Sequence, residues 1–207
     1  MRYLFDLIGI ARPRYFDIGA HHPWYLNNTW LFYRQGSHGV NIEPDPALHA
    51  RLQRTRGRDV TLNVGIGPTA GEMEFFVMSN RTLNTFSAIE AHKYVERHGE
   101  RIIETRTIRL ETFDRVVETA FDRTPDLVSL DVEGLDLAVL RSIDFSRHRP
   151  HVFCVETLSY AAGDDRGVKN EEIHALMLAN DYRLYADTYI NSIYISTAVW
   201  EACGKQH

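Results

Sequence analysis

Asp17, Gly19, His21 and His22 fall within nine residues, FDIGAHHPW (16–24), and Glu43 follows Gly19 by 24 residues. The stretch reads as the end of a strand that runs into a glycine turn. An acid at that separation, closing the next strand, is placed to accept hydrogen bonds from both hydroxyls of a nucleoside ribose. A dinucleotide would also need several glycines, so that the backbone could approach a pyrophosphate at a helix N-terminus. GxGxxG is absent, because Gly19 is followed by Ala20, His21, His22 and Pro23. S-adenosylmethionine has no phosphate. It presents a ribose, a cationic sulfonium and an amino-acid end, for which Asp17, Glu43 and a donor-rich turn at His21, Asn28 and Thr29 form a matching set.

Further polar residues close later strands: Asn63 the third, and Asp131, Glu133 and Glu156 the buried strands beyond it. Methyl transfer to a hydroxyl requires an in-line approach and a group that takes the hydroxyl proton. Two schemes fit. In the first, His21 or His22 is the general base, since an imidazole titrates near the working pH; otherwise one of them binds the cofactor carboxylate and the other packs or caps a helix. In the second, Asp131 and Glu156 on adjacent strands bind a magnesium ion that lowers the acceptor's pKa. Asp131 without metal would hold the methionine end or orient the acceptor. Glu133, Asn84 and Thr85 are expected on the acceptor side, although a helix N-cap explains Thr85 equally well. His92, His98, His148, His151 and His174 read as surface or packing residues, and Tyr182, Tyr185, Tyr189 and Tyr194 as strand tyrosines that pack or stack on a sugar.

Apolar runs of strand length alternate with helix-period segments, the pattern of a mostly parallel sheet covered by helices. Strands are expected at 14–19, 38–44, 59–67, 71–78, 105–110, 125–134 and 151–157. Helices are expected between them, the one after the first strand capped by Asn28, and 183–196 is expected to form an antiparallel hairpin. Ligands of such a sheet bind outside the carboxyl ends of its strands, where the strand order reverses.

The 207 residues suit one α/β domain, with 44% hydrophobic and 25% charged residues and a net charge of −5. The arginines are scattered, and the densest run, Arg51 to Arg58, reads as the solvated face and end of a helix; nucleic acid is not expected as a partner. Two cysteines, Cys154 in an apolar run and Cys203 near the end, argue for a reducing, cytoplasmic setting. No stretch approaches membrane-spanning length. The first residues, MRYLFDLIGIA, read as a short amphipathic helix that packs on the domain or on a second subunit of a homodimer.

FDIGAHHP, NIEPDP, LNVGIGPTAGEMEFFV and LVSLDVEGLDLAVLRSI, followed by VFCVET, resemble in this order the FkbM family of S-adenosylmethionine-dependent methyltransferases over roughly residues 14 to 196. The resemblance implies a class I methyltransferase fold, that is, a Rossmann-like, doubly wound α/β sheet, and methyl transfer to a hydroxyl, often on a sugar or secondary metabolite. It matches Asp17 and Gly19 to the cofactor turn, Glu43 to the ribose acid, and Asp131, Glu133 and Gly134 to the acidic block. His21 and Pro23 stand where the general methyltransferase turn has glycines. Residues 1–13 are then an N-terminal helical segment, 14–200 the methyltransferase domain and 201–207 a tail. The rival expectations are a nucleotide-sugar oxidoreductase of the same fold and a non-catalytic methyltransferase-like interaction protein.

Overall fold

The computed structural model describes residues 1–132, 134–159 and 168–204. Helix α1 (Arg2–Leu7) precedes the central strand β1 (Tyr15–Ile18), followed by α2 (Trp30–Arg34), β2 (Gly39–Ile42), α3 (Pro46–Thr55) and β3 (Val60–Leu62). An insertion then leaves the main sheet: β4 (Gly65–Ile66), β5 (Gly71–Met78), a 3-10 turn at Arg81–Leu83, α4 (Ala88–His98) and β6 (Ile102–Glu111). The chain returns through α5 (Phe113–Ala120), β7 (Leu127–Leu130), α6 (Asp136–Ser142) and β8 (Val152–Glu156). The short strands β9 (Leu158–Ser159) and β10 (Val168–Lys169), α7 (Glu171–Ala179), the hairpin β11 (Tyr182–Asp187) and β12 (Asn191–Ser196), and α8 (Thr197–Gly204) complete it.

Seven strands form the main sheet in the order β11-β12-β8-β7-β1-β2-β3. The pairs from β3 to β8 are parallel, and β12 runs antiparallel to both β8 and β11. Every residue of β1, β2 and β7 is buried, as expected of parallel strands covered on both faces. On one face Phe16, Ile18, Val128 and Leu130 pack against Phe113 and Val117 of α5 and Val139 of α6. On the other, Tyr15, Leu127 and Ile193 meet Leu4 and Phe5 of α1 and Phe32 of α2. The strand order reverses at β1, whose neighbours are β2 and β7, so a crevice is expected where these three strands end.

Local chemistry explains most boundaries. The Asp45 carboxylate accepts the Ala47 and Leu48 N–H groups, and Pro46 in the first turn completes the start of α3. Ser87 caps α4, which ends at Gly99 with φ +67°. Several expectations are corrected. The strand expected at 59–67 breaks after Leu62, because Asn63 turns its amide to the Glu43 and Pro44 carbonyls (2.8 and 2.9 Å) and sends the chain into a second, three-stranded sheet, β4-β6-β5. There β6 extends to ten residues, since β5 pairs along nearly all of it. The cap position of α2 is Thr29, not Asn28. Tyr182 and Tyr194 are core residues, Tyr182 donating its hydroxyl to the Pro150 carbonyl at 2.7 Å, and Tyr185 packs on Trp200. No described helix is long and apolar enough to cross a membrane.

Candidate active site

At the carboxyl end of β1 the chain must turn within touching distance of β7. Gly19 has φ +81°, and a Cβ there would lie 1.8 Å from the Asp131 carbonyl oxygen, so only glycine fits. The Gly19 and Ala20 N–H groups both donate to the Ile42 carbonyl (3.1 and 2.9 Å), which holds the turn against β2. His21 follows with φ +49°, and its N–H donates to Glu43 Oε2 at 2.7 Å. Glu43 Oε1 accepts the Asp45 N–H at 2.8 Å. The two N–H bonds leave the carboxyl further hydrogen-bonding capacity, as acceptor on both oxygens when ionised and as one O–H donor with the remaining lone pairs when protonated.

A cavity of about 160 Å³ opens at these strand ends, and Gly19, His21, Glu43, Asn84 and Asp131 line it. Leu48, Ile66, Phe75 and Phe86 supply apolar wall. Phe75 and Phe86 come from the insertion and pack with ring centroids 4.8 Å apart and planes tilted by 52°. Asn84 belongs to a polar rim: its amide and the Arg81 guanidinium both donate to Asp45 Oδ2. The His21 Nε2 atom is buried and finds no hydrogen-bond partner among the described residues.

The other predicted residues stand behind this wall or beside it. Asp17 is buried and does not line the cavity; its carboxylate accepts the Thr29 hydroxyl (2.6 Å) and the Asn27 amide (3.0 Å). Asn27 also donates to the Ala20 carbonyl and, through Oδ1, accepts from Arg56 at 3.0 Å, so it ties the turn to the sheet. Arg56 itself is wholly buried, against the expectation that its run of arginines is solvated. Asn28 donates to Ser129 (3.2 Å), Thr85 is buried and accepts the Ser87 N–H, and Asn63 is occupied by the two carbonyls named above. His22 turns away: its Nδ1 accepts the Tyr25 N–H at 3.1 Å and its ring stands edge-on to Trp24. Glu133 lies outside the described residues.

Asp131 carries the cavity wall to its far side. Its half-buried carboxyl faces that of Glu156, the last residue of β8, and Glu156 lines a second cavity. Desolvation pushes the Asp131 carboxyl above the usual range, the Glu156 carboxyl pulls it back and the Asp17 charge adds to the rise. The magnesium expectation is not supported: among the described residues no group of three or more His, Cys, Asp or Glu side chains is placed to hold a metal ion. Burial pushes Glu43 up to about 8 against the pull of its two N–H donors, and it raises Asp17 as well. Asp136, which accepts the Val132 N–H at 3.1 Å, is raised by burial and by Asp131 to about 7. Burial lowers His21, so the imidazole is neutral at pH 7.

These shifts have a thermodynamic sign. Glu43 and Asp136 stay protonated in the fold at pH values where the unfolded chain has ionised them near pH 4. The stabilisation they give is complete below pH 4 and is lost as the pH rises through about 7 and about 8. Asp126, held low by His151 and Arg123 despite burial, adds stability that is constant above pH 5. Thermal melts at fixed ionic strength should therefore show Tm falling by at least about 5 °C from pH 5.5 to 8.5, the shift expected for a loss of a few kcal/mol in a chain of this size. A flat profile would refute the burial of these acids.

The profile of the methyltransferase FkbM domain matches residues 17–184. No curated relative matches the chain. Solved methyltransferase structures are similar to the chain at low identity. One is the methyltransferase FkbM from Methylobacillus flagellatus, at 16% identity and TM-score 0.49 over 89% of this chain and 44% of that one. A TehB-like SAM-dependent methyltransferase from Corynebacterium glutamicum shows 10% identity and TM-score 0.46 over 94% and 85% of the two chains. Aeropyrum pernix fibrillarin with natively bound S-adenosyl-L-methionine shows 9% and 0.45 over 89% and 65%. The chain thus spans less than half the length of the first of these. Taken with a parallel sheet that reverses at β1 and ends in an antiparallel hairpin, the match over residues 17–184 places the chain in the FkbM family of S-adenosylmethionine-dependent methyltransferases.

Proposed function

We propose that this chain transfers the methyl group of S-adenosylmethionine to a hydroxyl oxygen of a saccharide or saccharide-bearing metabolite. The observation that carries the reading is Glu43, a buried carboxyl fixed by two backbone N–H groups, facing the same cavity as Gly19 and Asp131. Its remaining acceptor sites suit two ribose hydroxyls, and the Phe75, Phe86 and Ile66 wall suits an adenine ring. Gly19, without a side chain, leaves the turn open to the methionine end, and Asp131 offers a carboxyl to its ammonium. At about 160 Å³ the cavity admits a nucleoside only when the loop carrying Leu26 moves outward, and that side chain is three-quarters exposed.

When bound, the donor supplies an electrophilic methyl: the C–S bond breaks as the O–C bond forms, the sulfonium leaves as the thioether of S-adenosylhomocysteine, and the hydroxyl proton passes to a base. His21 sits beside the ribose acid, through its own N–H to Glu43, and favours a role on the cofactor. His22 is engaged with the turn. Asp131 lines the first cavity and Glu156 the second, so the two carboxyls stand at their boundary, where either could take the proton of an approaching hydroxyl. Asp17, Ala20, Asn28, Thr29 and Asn63 hold the turn and Glu43 in place from behind.

Calorimetry with S-adenosylmethionine tests the reading. Binding is expected, and Glu43→Ala should weaken it by at least about tenfold, the loss of two hydrogen bonds to a buried carboxylate. Asp131→Asn should lower turnover and also weaken cofactor binding, because Asp131 faces both the ammonium of the methionine end and the approaching hydroxyl. No binding at millimolar cofactor would overturn the proposal.

A further inference from the structure

The larger of the two cavities, about 560 Å³, lies beyond Asp131 and is of the size that takes a small ligand. Its wall has two characters. Leu83, Leu137, Leu158 and Ile173 give it apolar surface, next to the ring of Tyr94. Glu90, Glu100, Asp136 and Glu156 bring four carboxyl groups to the same space. Among the described residues no lysine or arginine lines it, and His98 is its one basic side chain. The nearest ammonium groups are held at its edge and already paired: Lys93 with Glu90 of the lining at 2.6 Å, and Lys169 with Asp187 and with Thr157 of the lining, each at 2.9 Å.

The carboxylates of Glu90 and Glu100 only accept hydrogen bonds, so this lining selects a ligand rich in donors. A phosphate or carboxylate on the ligand would lie beside these acids, and among the described residues no lysine or arginine of the lining offsets its desolvation. Leucine and tyrosine surface opposite the acids fits the C–H face of a pyranose-like ring. We propose that this cavity is the acceptor site and takes uncharged or amine-bearing polyols, rejecting phosphorylated and carboxylated ones. The acceptor role rests on the methyl-transfer reading above; the charge preference rests on the cavity alone. Two of the four carboxyls, Glu90 and Glu100, come with Tyr94 and His98 from one insertion segment, 80–100, so part of the charge preference can be changed there.

The test is an NMR titration of the full chain, with S-adenosylhomocysteine present, using glucosamine, glucose, glucuronate and glucose 6-phosphate as probes. Glucosamine and glucose should move the His98 and Tyr94 ring signals, with Kd at least about tenfold lower than either anion. Glu90→Gln with Glu100→Gln should cut the preference for glucosamine over glucuronate to about threefold or less, while the Kd for uncharged glucose stays within about twofold of the parent's. Equal or tighter binding of glucuronate or glucose 6-phosphate would overturn the proposal, as would failure of all four probes to move those two rings. Repeating the titration without the nucleoside keeps the two readings apart: if S-adenosylmethionine does not bind but glucosamine still does, the methyl-transfer reading fails and the charge preference stands.

Discussion

Replacing Arg56 by methionine should destabilise the chain by about 3–5 kcal/mol, the cost of breaking a buried ion pair by removing one partner. Its side chain is 0% exposed, and so is that of Asp59, which accepts its Nε–H at 2.8 Å. Asp59 is a hub: it also accepts the Tyr15 hydroxyl, the Gly39 N–H at 2.9 Å and the Asn41 amide at 3.0 Å. The other guanidinium nitrogens reach Asn27 Oδ1 (3.0 Å) and the Thr29 hydroxyl oxygen (2.8 Å), and the group lies 5.1 Å from the centroids of both the Tyr15 and Tyr33 rings. Methionine fills much of the volume but leaves Asp59 buried without its cation and Asp17 without the positive charge 3.9 Å away. Arg56→Lys should recover only part of the loss, because an ammonium cannot serve Asp59, Asn27 and Thr29 along three fixed directions. Urea denaturation of the three proteins checks this, and a methionine variant within about 1 kcal/mol of the parent would show that the network contributes no net stability.

The same network explains why the loop after Gly19 has a defined shape. Asn27 and Thr29 receive Arg56 on one side and grip Asp17 on the other, so a residue at the end of α3 positions the turn that follows β1. Arg56 is thus a positioning residue for the candidate cofactor loop. A cofactor titration of Arg56→Lys distinguishes this role from a purely structural one, since loosening the loop should weaken S-adenosylmethionine binding at temperatures where the chain is fully folded.

What the sequence discloses depends on whether a residue's role follows from its neighbours in the chain. Buried parallel strands announce themselves as unbroken apolar runs, so YFDI, LVSL and VFCVE are legible, and with them the acids at their ends. Glu43 is legible by its distance from Gly19. Arg56 is not: among Arg51, Arg54 and Arg58 it has the same local surroundings, and only folding brings Asp17, Asp59 and two tyrosine rings around it. Asn27 is hidden for the same reason beside Asn28, and the difference between His21, on the cavity, and His22, in the turn, rests on one backbone angle that the dipeptide does not reveal. The insertion was harder still. Its β6 alternates charged residues with apolar ones on a half-exposed sheet, and the link from 80–100 to the second cavity is a tertiary contact with no sequence period.

Gly19→Ala should abolish detectable S-adenosylmethionine binding, a loss of at least about 100-fold. Two effects act together. Alanine at φ +81° is strained by about 1–2 kcal/mol wherever it occurs. The larger effect is steric: the new methyl would sit 1.8 Å from the Asp131 carbonyl oxygen and 2.9 Å from its carbonyl carbon, so the ends of β1 and β7 must part. That displacement carries Asp131 away from Glu156 and breaks the Asp131 N–H bond to the Ile18 carbonyl (3.0 Å), which closes the crevice floor. Gly39→Ala is the matched comparison, because its methyl would lie 2.0 Å from the Tyr15 carbonyl oxygen, an equally severe clash at the far end of β1, where β2 pairs with it. Both variants should lose stability, and Gly57→Ala, with nothing within 4 Å, should not. Calorimetry on the folded fraction then separates fold from site: Gly39→Ala molecules that remain folded should bind the cofactor near the parental affinity, whereas folded Gly19→Ala molecules should not. Parental affinity in Gly19→Ala would mean that the close approach of β1 and β7 is not what shapes the cofactor site.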